Sequence, residues 1–174
     1  MNTFENHIEV IAEVVRAFPE IGKTGIMKCV YFLQNVYDID LGYRFSMYTY
    51  GPFDSDVMGA INAAVDDEYI ESKTFHYPNG TGYQFSPLPK SVESEIASVC
   101  SVPLEELKKN FGKYDAKQWE LAATIVYLSQ LNEDGDDALV EMVHKLKPHF
   151  SLDNINNEYR HIQRLGMAGQ RKAV

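Results

Sequence analysis

The most constraining feature of the chain is residues 43–56, where an alternating aromatic run meets a Gly-Pro pair and then the start of a helix. Side chains of a β-strand point to opposite faces in turn, and residues 43–50 alternate in this way. Pro52 has no N–H to donate and restricts Gly51 before it, so the strand is predicted to end at this pair. The stretch therefore predicts a strand, a turn and a helix in immediate succession.

The predicted helix carries apolar residues at spacings of three and four from Val57 to Val65. Asp54 or Ser55 is expected to accept hydrogen bonds from its first free N–H groups. Aromatic rings flanked by charge are typical anchors of protein interfaces, and such a group lies at this helix start. The alternative is that the rings pack in the core. The predicted partner-binding residues are Tyr48, Tyr50, Phe53, Asp54 and Asp56.

Composition describes a globular and acidic protein. The chain has 174 residues, 45% of them hydrophobic, which is enough to bury a core, and its net charge of −9 opposes non-specific binding to nucleic acid or anionic lipid. The N-terminus does not resemble a signal peptide, and no apolar run approaches the roughly 20 residues that span a bilayer. A cytoplasmic protein without membrane contact is expected, and its oligomeric state is left open.

The order of elements in the first half predicts a winged-helix-like unit over residues 1–88. Helices are predicted over 4–18, 24–37 and 54–65, and Asn79-Gly80 fits the two central positions of a primed hairpin turn. Three helices followed by a hairpin is the order of a winged helix, with the third helix in the place of the recognition helix. The predicted pairs across the hairpin are His76 with Tyr83, Thr74 with Phe85, and Phe75 with Gln84.

The second half is predicted to be a helical extension over residues 89–165, packed on the first half in one compact domain. Asp115 is expected to cap a helix over 116–131 that has few polar positions and is therefore buried. Residues 166–174 are predicted to form a flexible tail. The predicted fold class is α+β, mostly α.

No motif in the chain indicates a catalytic, metal or cofactor site. The five histidines share no ligand spacing, and the two cysteines are too scattered for a thiolate zinc site, which favours buried free thiols. Gly22-Lys23-Thr24 resembles the end of a phosphate loop but lacks the leading glycine, so Thr24 is predicted to cap the second helix instead. A non-enzymatic protein without cofactor is expected.

The alternative function is a winged-helix regulator that binds DNA. Its recognition helix would need lysine, arginine, asparagine or glutamine to reach phosphates and base edges. Residues 53–68 contain no lysine or arginine and carry five carboxylates. Specific DNA binding is therefore disfavoured, and binding to another protein is the preferred hypothesis.

The segment Lys-Thr-Gly-Ile-Met-Lys-Cys-Val-Tyr-Phe-Leu-Gln at 23–34, followed by Tyr-Thr-Tyr-Gly-Pro-Phe at 48–53, resembles the YwgA-like proteins and the related SocA/Panacea domain. The resemblance covers roughly residues 20–70. It implies a bacterial, non-enzymatic module that acts as an antitoxin in a toxin–antitoxin system, a proteolytic adaptor or an antiviral accessory protein. Its partner would then be a toxin or a protease or defence component. The motif positions are Lys23, Lys28, Tyr31, Gln34, Gly51 and Pro52.

Overall fold

The computed structural model describes residues 3–169, and within them the chain forms eight α-helices and two separate two-stranded antiparallel sheets. The helices are α1 (Thr3–Ala17), α2 (Lys23–Asn35), α3 (Ser55–Asp66), α4 (Glu95–Val99), α5 (Ser101–Phe111), α6 (Ala116–Leu131), α7 (Asp136–Leu146) and α8 (Leu152–Arg164). The strands are β1 (Ser46–Tyr48), β2 (Gly51–Phe53), β3 (Ile70–Tyr77) and β4 (Gly80–Pro87). The predicted class, α+β and mostly α, is confirmed.

Helix α6 lies at the centre of the molecule. Asp115 caps it as predicted, because the Asp115 carboxylate accepts the Gln118 N–H at 2.8 Å while the Gln118 side chain accepts the Asp115 N–H at 2.9 Å. Nearly every residue from Trp119 to Ser129 is buried, and α6 packs against α2, α7, α8 and β2. A helix that is apolar on all sides is buried on all sides, and here that helix joins the two halves into one core.

Helix α2 is the second buried helix, and its start differs from the prediction. Thr24 does not cap it, because the N-cap position is Gly22, which has no side chain to accept a hydrogen bond. All ten residues from Gly25 to Gln34 are buried, including Lys28. Burial of a lysine and a glutamine requires polar partners, and these come from the segment before α3.

The strand predicted over residues 43–50 is corrected to a small hairpin. β1 contains only Ser46–Tyr48, and the Gly-Pro pair begins β2 instead of ending the sheet, with Tyr48 paired to Gly51 and Ser46 to Phe53. Proline is tolerated in an edge strand where its missing N–H would face away from the ladder. This β1–β2 unit, residues 46–53, is called the aromatic hairpin below.

The β3–β4 hairpin, called the wing below, has a register two residues away from the predicted one. Tyr77 pairs with Gly80, so the loop is Pro78-Asn79 and the observed pairs include Thr74 with Tyr83 and Phe75 with Gly82. Pro78 has a fixed negative φ and favours the first central position of a turn, which moves the turn one residue toward the N-terminus. Because the shift is an even number of residues, each side chain keeps its predicted face.

The C-terminal segment is packed as far as it is described. Met167 is buried, and the Gly169 N–H donates to Ser129 Oγ at 2.9 Å. The predicted flexible tail therefore does not begin at residue 166, and residues 170–174 lie outside the described part. Among residues 3–169, no helix is both long enough and apolar enough to cross a membrane.

Gly51 gives a direct test of the aromatic hairpin as a structural element. Its φ is +92°, and a Cβ there would lie 3.1 Å from Thr124 Oγ1 and 3.4 Å from the Glu120 carbonyl oxygen. Gly51→Ala should therefore lower the free energy of unfolding by about 2–4 kcal/mol through strain and crowding. The measurement is urea unfolding.

Gly59→Ala is the matched control, because Gly59 lies in α3 and a Cβ there would meet nothing within 4 Å. That variant should be neutral or more stable by up to about 1 kcal/mol. Equal stability of Gly51→Ala and the wild type would contradict the described hairpin.

Candidate functional site

The aromatic hairpin presents two rings to solvent. Tyr48 and Tyr50 are 60% and 66% exposed, so they do not pack in the core. Phe53 is half-buried and contacts Tyr48, with ring centroids 5.1 Å apart. The structure thus brings Tyr48 and Phe53 into contact, and Tyr50 is exposed in the loop between the two strands.

The two predicted carboxylates have different roles. Asp54 caps α3, because its Oδ1 accepts the Asp56 N–H at 2.8 Å, and its Oδ2 accepts the Arg44 N–H at 2.6 Å. Asp54 therefore ties the helix start to the chain that enters the hairpin. Asp56 is exposed in the first turn of α3 and is free to face a partner.

The outer face of α3 and its end is acidic. No lysine or arginine lies between residues 53 and 68, and exposed carboxylates stand at both ends of the helix. Negative groups near a helix N-terminus are favourable, but those at the C-terminus are not stabilised by the helix dipole. The exposed residues of α3 and its end are Ser55, Asp56, Gly59, Asn62, Asp66, Asp67 and Glu68. The Lys90 ammonium donates to the Asp67 carbonyl at 2.7 Å, so one cation lies at the end of the helix.

Two buried lysines fix the backbone of the aromatic hairpin. Lys28, 2% exposed, donates to the Pro52 carbonyl at 2.7 Å. Lys147, also buried, donates to the carbonyls of Tyr48 (3.3 Å) and Thr49. The two ammonium groups thus hold the hairpin from both strands, on either side of the loop that carries Tyr50.

Glu120 on α6 supplies the counter-charge. Its Oε1 lies 3.0 Å from Lys147 Nζ, and both side chains are buried. His149, half-exposed, brings its Nε2 to 3.6 Å from the same oxygen. Lys28, Glu120 and Lys147 are called the lysine–glutamate cluster below, and it buries two cations with one carboxylate.

The cluster perturbs the protonation of Lys28. Burial lowers the pKa of Lys28 to about 8, the Glu120 carboxylate opposes that change, and the Lys147 ammonium adds to it. Thr124 Oγ1 lies beside Gly51, and within residues 3–169 this buried hydroxyl has no hydrogen-bond partner. The side chains that lie beneath the aromatic hairpin are therefore polar or charged.

Three of the four motif residues on α2 contact the aromatic hairpin or the chain that enters it. Gln34 acts as a strand partner for Tyr43, donating to its carbonyl at 2.9 Å and accepting its N–H at 2.8 Å. Tyr31 is buried and packs edge-on against Phe45, with centroids 5.2 Å apart. Positions 28, 31 and 34 lie three residues apart on one helix face, so a single face of α2 holds the entry and exit of the aromatic hairpin.

Lys23 is the exception among the motif residues. Its Nζ lies 3.8 Å from the centre of the Tyr83 ring on the wing, far from the contacts of Lys28. Glu120 and Lys147 are the site residues that sequence reasoning missed. A signal existed for Glu120, since it is a carboxylate in a helix without a polar face, and such a residue requires a buried partner.

Metal ligands do not cluster in the part of the chain that the structure describes, and its two thiols are buried. Among residues 3–169, no three His, Cys, Asp or Glu side chains are placed to hold a metal ion. Both cysteines are buried free thiols, and burial raises the pKa of Cys29 and that of Cys100, which opposes formation of the nucleophilic thiolate.

Comparison of the chain with protein-family models gives no match, and comparison with curated proteins gives none either. The resemblance to the SocA/Panacea domain therefore rests on the residues of α2 and on the Gly51-Pro52 pair, which begins β2. In this structure those residues are in contact, since Lys28 donates to the carbonyl of Pro52.

The pH dependence of stability tests the buried state of Lys28. Unfolded Lys28 keeps its proton up to about pH 10.5, whereas folded Lys28 loses it near pH 8. Between these values the unfolded state binds more protons, so wild-type stability rises with pH relative to Lys28→Met. We expect the unfolding free energy of the wild type, relative to that of Lys28→Met, to rise by about 2 kcal/mol between about pH 7.5 and about pH 9.5.

Urea unfolding of both proteins at the two pH values measures this difference. Comparison with Lys28→Met cancels the contributions of the tyrosines and cysteines, which are common to both chains. Lys117→Met, at an exposed position of α6, is the control. The unfolding free energy of the wild type relative to Lys117→Met should change by less than about 0.5 kcal/mol between the two pH values. A pH-independent difference for Lys28→Met would contradict the buried, charged lysine.

Proposed function

We propose that this protein is a non-enzymatic protein–protein interaction module that binds its partner through the aromatic hairpin. The observation that carries the proposal is the pair Tyr48 and Tyr50, both more than half exposed on a hairpin whose backbone carbonyls are bound by two buried lysines. Large aromatic side chains with few rotatable bonds are the usual anchors of interfaces. An exposed pair on a fixed backbone is suited to that use.

Preorganisation is the physical advantage of this arrangement. A loop that becomes ordered on binding loses conformational entropy, which weakens the complex. Here the loop Thr49-Tyr50 is already held by Lys147 and by the pairing of Tyr48 with Gly51. Binding therefore orders mainly the two tyrosine side chains.

Charge indicates the partner surface. The exposed side of α3 next to the hairpin carries Asp56 at its start and Asp66 at its end, with no compensating cation within residues 53–68. A basic protein surface would be attracted to this face and would associate faster at low salt, whereas the phosphates of duplex DNA would be repelled. The charge thus favours a protein ligand over the DNA-binding alternative.

The resemblance to the SocA/Panacea domain narrows the class of partner. An antitoxin, a proteolytic adaptor and a phage-defence accessory protein each act by holding another protein, and none requires a reactive site. The partner is then a toxin or a protease or defence component, expected in the cytoplasm of the same cell.

Variants of the hairpin and of α3 test the proposal by separating the two binding rates. The partner is first captured by affinity purification from native lysate and then produced for kinetic measurement. Tyr50→Ala should raise the dissociation rate by about 10-fold or more, because it removes a ring that the partner covers in the complex. Asp56→Lys should mainly slow association, by about 3-fold or more at low salt.

Two exposed residues elsewhere provide matched controls. Tyr77→Ala removes a tyrosine of the wing that is similarly exposed, and Asp134→Lys reverses a charge in the loop before α7. Neither should change either rate by more than about 2-fold. The proposal fails if Tyr50→Ala and Asp56→Lys bind the partner as the wild type does, or if the control variants weaken binding equally.

A further inference from the structure

The outer edge of the wing is a long, exposed strand edge. All seven residues of β3 from Glu71 to Tyr77 are exposed. The pairing of β3 with β4 runs without a bulge from Ile70 with Pro87 to Tyr77 with Gly80. A long, regular and exposed edge is a template for pairing with another strand, and folded proteins usually protect such an edge.

Alternate residues of β3 turn their backbone N–H and C=O groups away from β4. In an antiparallel pair these groups point to the two edges of a strand in turn. The Leu88 N–H donates to the Tyr69 carbonyl at 3.0 Å, so the odd-numbered residues of β3 bond toward β4 and the even-numbered ones point outward. Within residues 3–169, the outward groups of Ser72, Thr74 and His76 make no hydrogen bond to another backbone group.

The outer edge of β4 is closed by the chain that precedes α2. The Phe85 N–H donates to the Ile21 carbonyl at 2.9 Å, and the Phe85 carbonyl accepts the Glu20 N–H at 2.9 Å. A Cβ on Gly22 would lie 3.3 Å from the Tyr83 carbonyl oxygen, so the same chain runs along this edge. Of the two edges of the wing, the β3 edge is therefore the one that is open along its length.

The residues of β3 allow antiparallel pairing with a second copy of the same strand in one register. Pairing about Thr74 joins all three exposed outward residues of each copy. Pairing about Ser72 would need the backbone of Ile70, which is 1% exposed, and pairing about Lys73 would place two ammonium groups opposite each other. Pairing about Phe75 would bring the loop proline, which has no N–H, into the ladder.

The register about Thr74 also matches the side chains. Lys73 lies opposite Phe75 of the second copy and Glu71 opposite Tyr77, so no like charges face each other. Glu71 and Lys73 leave this strand without net charge in a protein of net charge −9, so two copies meet here without local repulsion. Phe75 and Tyr77 are 37% and 57% exposed and would lose contact with water.

We propose that two copies of this protein associate through their wings, with the two β3 strands paired antiparallel about Thr74 in one four-stranded sheet. The interface is isologous, because each copy supplies the same residues. About six backbone hydrogen bonds join the copies, two for each pair of outward residues. An interface of this size belongs to the transient class, and a dissociation constant on the order of 0.1 mM is expected.

Sedimentation velocity at concentrations from about 10 µM to about 1 mM measures this association. The dimer fraction of the wild type should rise with protein concentration. It should also rise between about 0.05 M and about 0.5 M salt, because salt screens the repulsion between two copies of like net charge.

Two proline variants distinguish the edges of the wing. Thr74→Pro removes an outward N–H but no hydrogen bond between β3 and β4, and it should weaken association by about 10-fold or more. Thr81→Pro is the matched control, because Thr81 pairs with His76 and its N–H points to the outer edge of β4. That variant should change association by less than about 2-fold.

A charge variant tests the same edge without altering the backbone. Lys73→Glu gives each β3 strand two carboxylates and no cation, and it should weaken association by about 3-fold or more. Lys117→Glu makes the same change of net charge at an exposed position of α6 and should change association by less than about 1.5-fold. Thermal unfolding identifies any loss of fold, and Lys73→Glu, at an exposed position, should melt as the wild type does.

The outcomes are distinct. A wild type that stays monomeric at about 1 mM overturns the proposal, and so does a dimer that Lys73→Glu and a folded Thr74→Pro leave intact. Equal loss of association in folded Thr74→Pro and Thr81→Pro also overturns it, because association would then not depend on the β3 edge. Loss in Thr74→Pro and Lys73→Glu, with both controls unchanged, supports it.

Discussion

Burial of two lysines and one glutamate beneath the aromatic hairpin is the constraint on which the arrangement of this surface depends. An unpaired buried charge is costly, so every member of the lysine–glutamate cluster needs partners in fixed positions. The carbonyls of Tyr48, Thr49 and Pro52 provide those partners, and Glu120 balances Lys147. The hairpin carbonyls thus supply the hydrogen-bond acceptors that the buried ammonium groups need, and the same hydrogen bonds hold the hairpin backbone in place. Because Lys28 lies on α2, Glu120 on α6 and Lys147 after α7, the cluster also joins three helices at one point.

Contacts from outside the sheet explain how so short a hairpin stays ordered while it exposes two aromatic rings. Two strands of three residues are marginal in water by themselves. Here the Gln34 side chain forms both hydrogen bonds to the backbone of Tyr43 that a neighbouring strand would form. Asp54 joins the chain that enters the hairpin to the start of α3, and the buried lysines bind carbonyls of the hairpin backbone. The exposed tyrosines therefore stand on a surface that is defined before any partner arrives. The acidic side of α3 lies next to them, so exposed rings and exposed carboxylates occupy neighbouring parts of one face.

The sequence predicted α1, α2, α3 and α6 from their apolar spacing, and the starts of α3 and α6 also carry local signals. Asp54 and Asp115 each cap the helix that follows them, and each effect is contained within a few residues. The exposure of Tyr48 and Tyr50 was not decided by the sequence, because aromatic rings beside charged residues occur both at interfaces and in cores. The return strand at Gly51-Pro52 was missed because edge position, which allows proline, is a tertiary property. The wing register was missed because Pro78 and Gly80 favour different turns, and the partnership of Lys147 with Glu120 joins residues that are far apart in the chain.

Amide hydrogen exchange of the aromatic hairpin tests the central claim, that the lysine–glutamate cluster fixes this hairpin. The comparison is between the wild type and Lys147→Met/Glu120→Gln, which removes both charges of the 3.0 Å pair so that neither is left alone. The account predicts that exchange in the peptide covering 46–53 accelerates by about 10-fold or more, while exchange in the wing at 70–87 changes by less than about 2-fold. Unchanged protection at 46–53 in a folded double variant would contradict it, because the hairpin would then be fixed by its own pairing and not by the buried charges.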